Sequence, residues 1–85
     1  MTKRRPIPFA DFRGLLERLG YVERRVPEGR VFEHPEQGLL LFRRYRDDEA
    51  VELHDLVYTR KFLDLRGLLA ADDFDATLSR ANTPA

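Results

Sequence analysis

The sequence predicts a small α+β domain of two layers, with helices covering one face of a three-stranded antiparallel sheet. Three observations carry this. The stretch Val26–Tyr45 is punctuated by Pro27-Glu28-Gly29 and Pro35-Glu36-Gln37-Gly38, proline early and glycine late. Tight turns favour that order, since proline presets φ at the second turn position and glycine accepts the positive φ that often follows. Around the turns lie Tyr21–Val26, Arg30–His34 and Leu39–Tyr45, short runs rich in strand formers. On either side of this meander, apolar residues fall at helical spacing.

Taken in order, residues 1–7 carry Lys3, Arg4 and Arg5 without an apolar period and read as a flexible basic arm. Pro8 suits the first turn of a helix, where its missing N–H is not needed. Phe9, Phe12, Leu15, Leu16 and Leu19 then form one apolar face, and Gly20 is the expected stop. Gly14 inside this helix costs about 1 kcal/mol relative to alanine, and is expected to permit close approach to the sheet. The first strand has Val22 and Val26 on one face and Tyr21, Glu23 and Arg25 on the other, so its buried side is open. Leu39–Phe42 is apolar on both faces, as in a central strand or one covered at both sides.

Asp47-Asp48-Glu49 breaks the strand pattern. Val51–His54 alternates briefly, but Leu53, Leu56, Val57, Arg60 and Leu63 share a helical face over the longer window. A helix is expected from about Glu52 to Arg66, with the acidic cluster at its N-terminus, where the macrodipole favours negative charge. A short helix over Asp72–Arg80 points Phe74 and Leu78 at the core, and residues 81–85 form a loose tail. The chain therefore reads as one domain over 8–80, with the second sheet face left to solvent or a partner.

Composition narrows the chemistry. With 85 residues, 42% of them hydrophobic, a single folded domain is expected. The absence of cysteine excludes disulfides and thiolate sites, and with two histidines a zinc site would need carboxylates to complete it. No cofactor or metal is expected. The longest purely apolar run, Leu39–Phe42, is far below the roughly 18 residues of a membrane span, and no signal peptide is evident. The expectation is a cytoplasmic protein without a membrane partner. Charge is uneven: up to Arg46 there are eleven Lys/Arg against six Asp/Glu, and from Asp47 onward four against nine. Such asymmetry can signal an anionic partner.

The basic residues Arg24, Arg25, Arg30, Arg43, Arg44 and Arg46 lie on or next to the three strands. Interleaved with Tyr21, Phe32 or Tyr45, they are candidates for an RNA-binding sheet surface built on phosphate contacts and base stacking. The competing reading is a solvated face paired with Glu23 and Glu33. Register is not legible here, so which arginines share a face stays open.

The element order and central residues resemble the HicA (YcfA-like) family of small bacterial toxins. The likeness runs through Leu19-Gly20-Tyr21, is closest at Arg30-Val31-Phe32-Glu33-His34-Pro35, and resumes at Leu65-Arg66-Gly67-Leu68 and Asp72-Asp73-Phe74. It covers about residues 8 to 80 and implies a double-stranded-RNA-binding-like α-β-β-β-α fold, here with a short extra C-terminal helix. Active members of that family cut mRNA with one histidine, in a Gly-Ser-His that enters the second strand. Counting back from His34-Pro35, those positions fall on Pro27-Glu28-Gly29, so Gly29 stands at the catalytic position. The family's Pro-X-His after the third strand is also missing, replaced by Phe42-Arg43-Arg44-Tyr45. In that fold the second helix normally offers phosphates a basic N-terminus, whereas Asp47, Asp48, Glu49 and Glu52 would repel them.

The resemblance therefore implies a HicA-like, toxin–antitoxin-derived domain that contacts RNA or an antitoxin-like protein without efficient ribonuclease activity. A placed general base or acid is typically worth about 10²–10⁴-fold. Two further readings stay open. One is an active mRNA interferase using His34 or His54, although His34 also reads as a strand-end residue and His54 as helix surface. The other is a protein-interaction module using the open sheet face.

Overall fold

The computed structural model describes residues 6–81, so the basic arm's Lys3, Arg4 and Arg5 and the tail beyond Ala81 lie outside the described residues. The element order is α1 (Phe9–Arg18), β1 (Val22–Val26), β2 (Gly29–His34), β3 (Gly38–Phe42), α2 (Leu53–Leu65) and α3 (Ala71–Ala81). This is the α+β architecture expected, α-β-β-β-α with an additional short helix.

Helix α1 buries Phe9, Phe12, Leu15 and Leu16, the face its periodicity requires. Its C-terminus is closed by Gly20 at φ +101°, which lets the Tyr21 N–H donate to the Leu16 carbonyl and the Gly20 N–H to the Glu17 carbonyl. Its N-terminus is closed from a distance. Pro8 bridges Ala50, and the Phe9 and Ala10 N–H groups donate to the Glu49 and Asp47 carbonyls at 2.8 and 2.9 Å. The loop between β3 and α2 thus satisfies donors that a helix leaves orphaned. The acidic cluster was expected at the start of α2; Asp47 and Glu49 also cap α1. Nothing lies within 4 Å of a Cβ built on Gly14, so this glycine serves no close approach to the sheet.

The sheet is an antiparallel meander in the order β1-β2-β3. Glu23 pairs with Phe32 and Phe32 with Leu40, while Arg25 pairs with Arg30 and Arg30 with Phe42. These residues share the face turned to the helices, together with Tyr21 and His34. The register settles the ambiguity of β1: Glu23 and Arg25 face inward, and Val22 is 67% exposed. It also places β3 at the edge, where its sequence had suggested a central or doubly covered strand. The strand ends at Phe42 rather than Tyr45, because Tyr45 turns inward to stack on Phe9 with ring centroids 4.9 Å apart. Around this pair, Phe12, Phe32 and Phe42 meet ring to ring at 5.2–6.2 Å, the aromatic centre of the core.

Helix α2 buries Leu56, Thr59 and Leu63, whereas Leu53 and Val57, expected on the buried face, are 62% and 55% exposed. The helix is rotated because α3 packs against both α1 and α2, with Phe74 and Leu78 buried as expected. Gly67, at φ +71°, ends α2.

The Tyr45 hydroxyl donates to Asp55 Oδ2 at 2.6 Å and accepts the Glu52 N–H at 2.9 Å, locking the loop onto the start of α2. Burial, then the hydrogen bond to Asp55, pushes its pKa up to about 12. The folded state thus holds this proton more tightly than the unfolded chain, whose tyrosines titrate near 10. Stability is fully present below pH 10 and is lost as pH rises from 10 through 12. Burial raises Tyr21 in the same direction. Urea denaturation at pH 9 and pH 11.5 is expected to show this loss, and Tyr45→Phe to reduce it; an unchanged slope in that variant would refute the assignment.

Candidate functional site

The six arginines proposed from sequence do not form one surface. Arg24 lies on the open sheet face and donates to Glu33 across the strands. Arg25 and Arg30 lie on the helix-facing side. Arg25 extends to solvent with its Nε 3.9 Å from Glu23, and Arg30 is buried. The Arg30 Nε is 3.2 Å from Glu23 Oε2, its Nη2 donates to Asp47 Oδ1 at 2.9 Å, and its guanidinium sits 4.5 Å above the Phe9 ring. Arg43 donates to Glu52 at 2.6 Å and Glu49 at 2.9 Å, and covers the Tyr45 ring at 3.9 Å. Arg46 reaches Asp48 at 3.2 Å. Among the described residues, only Arg44 of the six has no carboxylate partner.

Arg30, Arg43 and Arg46 of the basic first half are thus paired with Asp47, Asp48, Glu49 and Glu52 of the acidic second half. Arg13, which the sequence reading passed over, completes the set by donating to Asp47 at 2.7 Å. Hydrogen bonds from Arg30 and then Arg13 hold the Asp47 carboxyl below its ordinary value, and Arg43 followed by the Arg46 backbone N–H does the same for Glu49. The same Glu49 and Glu52 carboxylates raise the Arg43 pKa. Repulsion between the acidic loop and phosphate is weakened by this pairing, but of the six candidate cations all except Arg44 are already engaged by carboxylates.

The histidines have defined structural surroundings. His34 Nδ1 accepts the backbone N–H groups of Glu36 and Gln37 at 3.0 and 3.1 Å, and its ring packs edge-on against Tyr21 at 5.1 Å. Its Nδ1 lone pair is thereby engaged, leaving Nε2 to carry the ring proton, so the neutral ring has no free acceptor for a substrate proton. The side chain organises the β2–β3 turn. His54, expected on the helix surface, approaches two carboxylates there: Nε2 lies 3.5 Å from Asp55 Oδ1 and Nδ1 3.4 Å from Glu52 Oε1. Yet the His54 side chain is 73% exposed and Asp55 is committed to Tyr45, so no enclosed acid–base site forms there. Gly29 has no positive φ, contrary to the turn reading. It is glycine for space: a Cβ there would lie 2.1 Å from the Phe42 carbonyl oxygen.

What sequence reasoning missed is the character of the open sheet face. Register places Val22, Arg24 and Val26 of β1, Val31 and Glu33 of β2, and Leu39 and Leu41 of β3 on it. Leu39 and Leu41 are 50% and 69% exposed, and Val22 is exposed on the far strand, across Glu33. The only charges from these strands on the face, Arg24 and Glu33, pair with each other. A shallow depression of about 450 Å³ opens at its turn end, lined by Val22, Glu33, His34, Pro35, Gly38 and Leu39. The signal was present: Val22 and Val26 flanking charged residues in β1, and a β3 that is apolar on both sides. No helix of the described residues is long and apolar enough to cross a membrane. No family model, curated protein or solved structure matches the chain.

Proposed function

We propose that this protein is a HicA-like module without ribonuclease activity that binds a protein partner through its open sheet face. The observation that carries this is the exposed apolar surface of Leu39 and Leu41 next to Val31, with Val22 across the Arg24–Glu33 pair, whose charges cancel. Exposed contiguous apolar surface rimmed by polar groups marks protein association. An RNA-binding sheet needs uncompensated cations beside stacking rings, and this face has no aromatic ring from its strands and one neutralised arginine. Gly29 at the position of the family's histidine, and a His34 already engaged in its turn, support the absence of cleavage.

The test is calorimetric titration with the protein encoded next to this one, co-expressed and purified, at about 50 and about 500 mM NaCl. Similar affinity at both salts is expected, with Val22→Glu weakening it by roughly tenfold or more, the equivalent of at least about 1.4 kcal/mol. Labelled single-stranded and hairpin RNA serve as the second arm. Salt-sensitive RNA binding lost with Arg43→Ala/Arg44→Ala, or RNA cleavage lost with His34→Ala, would overturn the proposal.

A further inference from the structure

The two edges of the sheet differ in a way that points to a partner. Edge strands present unpaired backbone groups, and proteins shield them with charge, proline or bulges. The β1 edge, Val-Glu-Arg-Arg-Val, carries three charged residues in five. The β3 edge, Gly-Leu-Leu-Leu-Phe, carries neither charge nor proline. Among the described residues, no backbone hydrogen bond from outside the β2 pairing reaches residues 38–42. The strand most suited to the middle of a sheet stands unprotected at its rim.

We infer that the chain forms a twofold-symmetric dimer in which β3 pairs antiparallel with β3 of a second copy, centred on Leu40. This goes beyond the proposed function, since it concerns the sheet's edge and holds whatever binds its face. Antiparallel self-pairing is isologous: each contact occurs twice by symmetry. Pairing all five strand residues requires one register, with Leu40 opposite the partner's Leu40, Leu39 opposite the partner's Leu41, and Gly38 opposite the partner's Phe42. Leu39 and Leu41, exposed in the single chain, then become cross-strand neighbours on the open face, four leucines side by side.

The same register has a consequence just beyond the strand. Neither Arg44 nor Glu36 lies in the paired strands, but the register brings the turn that carries Glu36, just before Gly38, to the same end as the partner's Arg44, just after the partner's Phe42, and the reverse by symmetry. Arg44 is the one arginine of the six without a carboxylate, and the Glu36 side chain likewise has no ion pair among the described residues; both are exposed. Shifting the register by two residues removes this match and shortens the paired segment. Charge and strand length therefore select the same alignment, giving a six-stranded sheet ordered β1-β2-β3-β3-β2-β1. Five residues of edge contribute less than the roughly 800 Å² per partner of a standard interface, so a dissociation constant on the order of 10–100 µM is expected.

Sedimentation equilibrium from about 5 µM to about 1 mM brackets that range. The wild type is expected to pass from monomer to dimer. Arg44→Glu and Glu36→Arg each turn two attractive pairs into two repulsive ones and are expected to weaken the dimer roughly tenfold, while the double variant Glu36→Arg/Arg44→Glu restores it. Leu41→Lys abolishes it by charging the edge. Val22→Glu, on the far strand, leaves it intact, which separates failure of the edge from failure of the face. Far-ultraviolet circular dichroism confirms that each variant is folded. A monomer at 1 mM, self-association indifferent to both charge reversals, or a dimer lost with Val22→Glu would overturn the inference.

Discussion

Gly29→Ala is expected to destabilise the domain by roughly 3 kcal/mol, and Gly29→His by more. The Cβ would sit 2.1 Å from the Phe42 carbonyl oxygen and 3.2 Å from Arg43 backbone atoms, so the end of β3 must move away from the start of β2. The displaced atoms are backbone, and Phe42 beside them is 6% exposed and part of the aromatic core. For a domain of this size such a loss lowers the melting temperature by on the order of 10–20 °C. Thermal unfolding of the Ala variant measures it, and a shift under about 4 °C would show that the strand yields cheaply. The result also bears on function: reinstating histidine at position 29 is expected to yield an unstable protein rather than a nuclease.

Glu23→Gln and Arg30→Met are each expected to cost roughly 2 kcal/mol or more, whereas the double variant Glu23→Gln/Arg30→Met is expected to change stability by less than about 1 kcal/mol. The asymmetry follows from burial. The Arg30 and Glu23 side chains are 7% and 13% exposed, so neutralising Glu23 leaves a cation largely cut off from water with Asp47 as its remaining carboxylate. Replacing the cation alone leaves the Glu23 carboxylate largely cut off from water, with Arg25 at 3.9 Å as its remaining cation. Replacing both partners removes the cost of burying either charge and lets methionine fill similar volume over the Phe9 ring. Arg30 Nη1 and Glu23 Oε2 both lie buried without a hydrogen-bond partner, a desolvation cost that the double replacement removes. Urea denaturation of the two variants, with the double variant to close the cycle, measures the coupling. If the double variant proved as damaging as either single one, the ion pair would be a net stabiliser rather than a liability that requires both partners. Neither variant is expected to alter binding at the open face, since both residues point to the helix side.

Much of the architecture is legible from local pattern. The Phe9-Phe12-Leu15-Leu16 spacing, Gly20 as a helix stop and the turn at Gly38 depend on residues only a few positions apart, whereas Gly29 answers to Phe42 on the neighbouring strand. Local sterics and periodicity decide the former, so element boundaries fall close to where the sequence puts them. The candidate site depended on longer contacts. Whether Glu23 or Val22 faces inward is decided by Arg30, which meets Glu23 across the hairpin and Asp47 from a distant loop. The fate of the arginines rests on carboxylates up to 34 residues away, as with Arg13 and Asp47. A strand apolar on both faces reads as central in any sequence; only the order β1-β2-β3 puts it at the edge and its leucines in the open. Periodicity names the residues that want burial, but the strand order and the ion pairs that close the domain determine which of them a single chain can bury.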